Sequence, residues 1–399
     1  MADPLLSGVT VVDLTHHVAG PYCTKLLALS GADVIKIERP RTGDPSRQAG
    51  PFPGDISHPE KSALFLYLNT GKHSVTLDLK RDEGRSLVER LVRDADIVVE
   101  NFSPRVLPSL GLSYASLRRI NPRLVVTSIS NFGQTGPCCD YRATNLTLSA
   151  MSVGMSQQGA EDREPLKLGG RQVEYMGGVM ALTATIGALF RRDIDGVGQR
   201  VDISLFEAAA TNDEGSYVTY GYQGVLRTQK PNRHAWGHPA GIYPCRDGHL
   251  IVMPGYGNIE SLALLVEQPE LAEHPLFKDR YARQQRPQEF DALVLPWLKA
   301  HDKHDIVRRA QELRMPFSPV LTVGELFDDA QLASRQFFQA IEHPEAGDLA
   351  YPSGPFRLDK SFPPLRRAPL LGEHTEEVLG DRLGVTKREL ARLRKQGIV

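Results

Sequence analysis

The chain of 399 residues is 41% hydrophobic and 24% charged, with 47 Lys and Arg against 48 Asp and Glu and a formal net charge of −1. That balance suits a soluble globular protein of two or three domains, and it excludes a charge-driven affinity for nucleic acid or for an anionic membrane surface. Four scattered cysteines, Cys23, Cys138, Cys139 and Cys245, exclude a disulfide framework, and the adjacent pair has no metal-ligand spacing, so no metal is expected.

The start, MADPLLSGVTVVDL, has no basic n-region or long apolar run. No signal peptide is read there and a cytoplasmic location is expected. GVTVVDL (8–14) is a β-branched run and predicts a strand. AGPYCTKLLALSG (19–31) predicts a helix, with Pro21 suited to the first helical position and Gly31 as its C-terminal cap. DVIKIE (33–38) is the next strand, which completes a right-handed βαβ unit of a parallel sheet. The long loop 39–62 is rich in Pro, Gly and charge, a texture often associated with function. Arg39 and Arg47 flank it, placed to clamp a diphosphate. SVTLDL (74–79), the amphipathic 82–95, DIVVENF (96–102), the short helix 113–120, RLVVTSISNF (123–132) and 199–212 continue the alternation. The fold expected is α/β, with a doubly wound, Rossmann-like sheet.

No G-x-G-x-x-G follows the first strand, and no Walker A, H-E-x-x-H, C-x-x-C or G-x-S-x-G occurs. The first strand runs instead into THHVAGP (15–21), where a helix N-terminus offers N–H groups to an anion and His16 and His17 stand ready to bond it. GGRQVEYMGG (169–178) sets Glu174 between two glycine pairs, ahead of the apolar run 179–192, read as a buried helix and not a membrane span. A first-turn acid of this kind either complements the helix dipole or serves as a reactive carboxylate. Beyond about residue 221 the texture changes. A hairpin turning at Asp247–Gly248 and a helical stretch follow, so the domains read as 1–224, a smaller α+β domain at 225–330, and a C-terminal arm with short helices at 331–399.

Five stretches together resemble the family III coenzyme A transferases, the group that includes formyl-CoA transferase, carnitine CoA-transferase and α-methylacyl-CoA racemase. They are VTVVDLTHHVAGPYCTKLLALSGADVIKIERPRTGDPSR, NTGKHSVTLDLKRDEGRSLVERLVRDADIVVENFSP, LGLSYASLRRINPRLVVTSISNFGQTGP, GVGQRVDISLFEAA and RAPLLGEHTEEVLGDRLG. The resemblance implies two interlocked, ring-like chains, each with a large Rossmann-like domain and an inserted small one. It implies that coenzyme A lies along the large domain, touching Val18, Ala19, Arg39, Leu77, Lys80, Asn101, Phe102, Ser103 and Arg142. It also implies covalent catalysis by an aspartate through acyl-anhydride and CoA-thioester intermediates, without a metal.

The same spacing puts Glu174 where that aspartate belongs, a departure at the central residue. Nearby, Thr144 stands where racemases have histidine, Asn145 replaces an acid, Ser149 an amide and Val18 a glutamine. The reading adopted is CoA transfer from an acyl-CoA such as succinyl-CoA to an organic acid. In it the chain is one subunit of a hetero-oligomer with an Asp-bearing homologue, as in enzymes resembling benzylsuccinate CoA-transferase. The alternatives are a homodimer with Glu174 as nucleophile, an acyl-CoA racemase, and a non-enzymatic CoA-binding scaffold. The GYGN loop (255–258) and Tyr175, Tyr217 and Tyr220 are candidates for the acyl pocket.

Overall fold

The computed structural model describes residues 4–229, 237–253, 259–354, 356–357 and 365–399. These fall into two compact units. The first comprises 1–155, 167–226 and 333–399, and the second 156–166 with 227–332. The second unit thus takes in a short segment, 156–166, that the sequence texture does not mark.

The first unit is built on β1 (Thr10–Asp13), β2 (Asp33–Glu38), β3 (His73–Thr76), β4 (Ile97–Glu100), β5 (Val125–Ser130) and β6 (Arg200–Ser204). They form one parallel sheet in the order β3-β2-β1-β4-β5-β6. The expected doubly wound α/β sheet is therefore present, in the strand order of a dinucleotide-binding fold. Both faces are covered, so neighbouring strand residues are buried on opposite sides. Val12, Ile35, Val98 and Val126 join one core with the helix Lys387–Lys395, whereas Val11, Val34, Ile97 and Val125 join the other.

The helices are α1 (Ala19–Leu29), α2 (Ala63–Leu68), α3 (Asp82–Arg93), α4 (Val106–Ser109), α5 (Tyr114–Ile120), α6 (Asn145–Met151), α7 (Gln172–Asp195), α8 (Leu205–Ala210) and α9 (Glu214–Gln223). Helix α7 runs beyond the expected apolar stretch and stops at Gly196, whose φ of 75° provides a left-handed cap. Gly178 lets α7 lie against α1, since a Cβ there would come 2.7 Å from the Ala19 carbonyl oxygen. The expectation of a fully buried helix is met on one face only. Val173, Ala181, Thr185 and Leu189 are buried, but Val179, Met180, Phe190 and Ile194 are exposed. By length and composition alone α7 is apolar enough to cross a membrane. Its buried Arg192 is paired with Asp96 at 2.6 Å.

The second unit holds the antiparallel strands β7 (Gly241–Cys245), β8 (Gly248–Val252) and β9 (Ser318–Pro319), with helices packed on Tyr243, Leu250 and Val252. Cys245 pairs with Gly248, so the two-residue hairpin loop is Arg246–Asp247, one position earlier than expected. The segment 331–399, read as an arm with helices, also contains a hairpin, Phe338–His343 with Gly347–Pro352.

Candidate functional site

A cleft of ≈ 770 Å³ lies at the carboxyl ends of β1 to β4. Strand order reverses between β1 and β4, which is where open α/β sheets take their ligands. Its lining includes Leu14, Ile37, Leu77 and Phe102, an apolar floor suited to a flat ring. Arg39, Arg41 and Lys80 also line it, and all three are exposed. The tail of the chain, Gln396 and Gly397, contributes as well, tied down by the Asp78 N–H on the Ile398 carbonyl at 2.8 Å.

The loops that shape the cleft are fastened by polar bonds. The His16 N–H donates to Asn101 Oδ1 at 2.8 Å, and Asn101 Nδ2 donates to the His16 carbonyl at 2.7 Å, so the β1 and β4 loops are clipped together. Burial first, then Lys36, lowers His16 to about 4. At neutral pH its ring is uncharged and meets Phe102 edge-on at 5.4 Å. If His16 bonds an anion, as the sequence reading has it, it does so as a neutral N–H donor and not as a cation.

The sequence reading of Arg47 is corrected. It does not reach a ligand, because it is fully buried, with Nε and Nη2 each 2.8 Å from the Glu38 carboxylate and Nη1 2.6 Å from Glu60. Beside it Lys36 pairs with Asp44 at 2.9 Å and Lys72 with Asp13 at 3.1 Å. Burial pushes Asp13 up, but Lys72, Lys36, Thr15 and Thr24 outweigh it and hold the carboxylate low. This network pins the 39–62 loop over the sheet.

Glu174 sits in the first turn of α7, with its side chain 15% exposed. Arg171 Nη1 is 3.5 Å from Oε2, and that buried oxygen has no hydrogen bond. Burial raises the carboxyl above its ordinary value, against the lowering influence of Arg171, His17 and Lys167. The turn entering α7 is held by Asn145 Nδ2, 3.2 Å, and Lys167 Nζ, 2.7 Å, both on the Gly170 carbonyl. The β1–α1 loop connects this acid to the cleft. Its His16 lines the cleft, and His17, at a left-handed φ of 65°, is within electrostatic reach of Glu174. The strained turn sends successive side chains to the two places.

Of the residues named from sequence, Arg39, Leu77, Lys80, Phe102 and Ser103 line the cleft together, and Asn101 fastens its wall. Val18 and Ala19 are 0% and 4% exposed, so only their backbone is available to a ligand. Arg142 is exposed and does not line the cleft. Tyr217 and Tyr220 are exposed on α9, and the GYGN loop lies outside the described residues. Sequence reasoning missed Arg41, Leu79 and the C-terminal Gln396 and Gly397. No local pattern marks a chain end that folds back three hundred residues onto a loop.

A model of CoA-transferase family III matches residues 6–375. A formyl-CoA:oxalate CoA-transferase of Streptomyces avermitilis is 32% identical over 99% of each chain. A succinyl-CoA–D-citramalate CoA-transferase of Chloroflexus aurantiacus is 32% identical, over 99% of this chain and 98% of its own. The crystal structure of a CAIB/BAIF family protein from Brucella suis superposes with a TM-score of 0.85 at 31% identity, covering 96% of this chain and 100% of that one. With its parallel sheet, its switch-point cleft and this full-length likeness, the chain belongs to CoA-transferase family III and is an enzyme of that family.

Proposed function

We propose that this chain exchanges coenzyme A between an acyl-CoA and an organic acid, with coenzyme A in the switch-point cleft and Glu174 as the covalent carrier. The observation that carries this reading is the state of Glu174. It is a largely buried carboxylate with one unbonded oxygen, at a helix N-terminus, connected by a single loop to the cleft. The carboxylate attacks the thioester carbonyl, the C–S bond breaks and CoA thiolate leaves, giving a mixed anhydride. The thiolate then attacks the Glu174 carbonyl and releases the donor acid, leaving an enzyme thioester. An acceptor carboxylate repeats the steps in reverse and regenerates Glu174. One thioester replaces another, so the exchange is close to balanced in energy. Incubating the purified chain with succinyl-CoA and a panel of carboxylates, with hydroxylamine trapping at residue 174, tests the reading.

The racemase alternative loses support from Thr144, whose hydroxyl accepts from the Thr147 N–H and caps α6. A paired enzyme remains the second reading. The exposed apolar residues Phe190 and Ile194 on α7 and Tyr217, Val218 and Tyr222 on α9 suit a second chain, like or unlike.

Arg39 and Lys80 are proposed to neutralise phosphates of coenzyme A at the rim of the cleft. Arg39→Ala or Lys80→Ala is expected to weaken CoA binding by about tenfold, the loss of one charge-assisted bond. Calorimetric titration checks this, and dephospho-CoA should lose less from whichever variant removes the 3′-phosphate partner.

Because burial raises Glu174, the acid limb of the rate profile should lie above the ordinary glutamate value of 4.5. Protonation stops the attack, so rate falls as pH drops through that limb. Stability runs the other way. An acid held above its unfolded value binds its proton more tightly in the folded state, so its ionised form opposes folding at neutral pH and the penalty fades on acidification. Glu174→Gln should therefore melt higher than the parent at pH 7.5 in a calorimetric scan, with the difference vanishing at pH 4.5.

A further inference from the structure

Glu174 stands in a helical turn without a side-chain cap. Arg171, at the N-cap, makes no capping bond, and its guanidinium comes only within 3.5 Å of the acid. The next residue, Tyr175, is held from two other elements. Tyr22 of α1 meets its ring edge-on, with centroids 4.9 Å apart, and Tyr67 of α2 meets it at 6.4 Å. Tyr22 and Tyr67 stack on each other at 6.4 Å, so the three half-buried rings close a triangle. Tyr22 reaches α7 a second time, one turn further on. A Cβ at Gly178 would come 3.1 Å from its Cδ1. Tyr67 is backed by the buried Lys25, whose Nζ lies 3.4 Å from the ring centroid and has no hydrogen-bond partner among the described residues. Rings prefer edge-to-face and offset arrangements, so a cluster of this kind fixes angle as well as distance.

Both partners of Tyr175 lead back to the cleft. Helix α1 continues the β1–α1 loop, whose His16 lines it. Helix α2 follows the 39–62 loop, of which Arg39, Arg41 and Thr42 line it. Ser62, the N-cap of α2, donates to the Ser46 carbonyl of that loop at 2.7 Å. We propose that Tyr22, Tyr67 and Tyr175 are positioning residues. They clasp the first turn of α7 to the two helices that carry the cleft loops, and so set where the Glu174 carboxylate stands relative to a thioester bound there. At Tyr175 the ring carries the contact, since both partners meet it ring to ring. This rests on the reading of Glu174 given above.

The test separates kcat from KM in the purified full chain, with succinyl-CoA and a carboxylate acceptor, well below the melting temperature of each variant. Tyr175→Leu is expected to lower kcat about 10- to 100-fold, the effect of a misplacement near 1 Å. KM for the acyl-CoA and the calorimetric affinity for coenzyme A should stay within about twofold, because the acid is displaced and the cleft is not. Tyr175→Phe keeps the ring and should recover most of the loss. Tyr67→Leu leaves α7 untouched, should lower kcat in the same way, and covers the case in which Tyr175→Leu does not fold. The two leucine substitutions together should cost less than the product of their separate losses, since each breaks the same clasp. Parent-like kcat in the leucine variants, an equal loss in Tyr175→Phe, or a loss carried by KM or by CoA affinity overturns the clasp. Hydroxylamine trapping keeps this apart from the reading of Glu174. A parent enzyme that transfers CoA without trapping at residue 174 sinks the carrier role, whereas trapping at 174 in the parent beside unimpaired leucine variants sinks the clasp alone.

Discussion

Glu174→Ala is expected to lower CoA transfer by about three orders of magnitude or more, because in the proposed mechanism it removes the group to which both acyl and CoA become attached. Initial rates with succinyl-CoA and a carboxylate acceptor, followed by chromatography of the acyl-CoA formed, provide the measurement. CoA binding should change little, since Glu174 does not line the cleft. Glu174→Asp is the sharper variant. Shortening the side chain by one methylene withdraws the oxygen by ~1.5 Å, and a displacement near that size can cost about 100-fold in rate where a site is built around the longer acid. A slower aspartate variant therefore marks a site adapted to glutamate. A faster one marks a relaxed copy of an aspartate site, and the paired-enzyme reading then prevails. Full activity in Glu174→Ala would remove residue 174 from the covalent role altogether.

Arg47→Ala is expected to destabilise the fold by about 3–5 kcal/mol, the usual result of breaking a buried ion pair and leaving its partners charged. Arg47 is 0% exposed, bonds both oxygens of Glu38, reaches Glu60 and the Pro369 carbonyl, and lies 3.6 Å from the Phe65 ring. At about 2–4 °C per kcal/mol the melting temperature should fall by roughly 6–20 °C in a calorimetric scan. Arg47→Met with Glu38→Gln should recover part of the loss, because neither member is then left as an unpaired charge. A fall of about 2 °C or less would show that the network is not a main support of the loop. The pH dependence has a definite sign. Glu38 is driven up by burial but held below its ordinary value by Arg47 and Lys36. Its contribution is present above 4.5 and is lost as pH falls through the lowered folded value. Acidification should accordingly erode the parent more than the double variant.

Much of the first unit was legible because its signals are local. DVIKIE matches β2 residue for residue, and the amphipathic run at 82–95 matches α3 within two residues. The hairpin turn was misplaced by one because Gly248, read as a turn residue, begins the strand at a φ of 149°. The exposed face of α7 was not legible, since apolar residues that end up exposed read like those that end up in a core.

By itself the sequence determined the alternation of strands and helices, the position of the acid at 174 and the kinship of the chain, because period, turn chemistry and motif spacing are properties of neighbouring residues. Only the tertiary structure decided which charges face the cleft and which are tied up within the fold. Arg39 and Arg47 look alike in the loop that they flank, yet one stands at the rim of the cleft and the other is locked under it by Glu38. Lys25 and Lys36 look alike in sequence, yet Lys36 has an acid partner and Lys25 none. Partnership of this kind depends on residues brought together from distant parts of the chain, as when Pro369 reaches Arg47 and Gly397 reaches the cleft. Desolvation, which sets the strength of every such pair, exists only once the chain has folded.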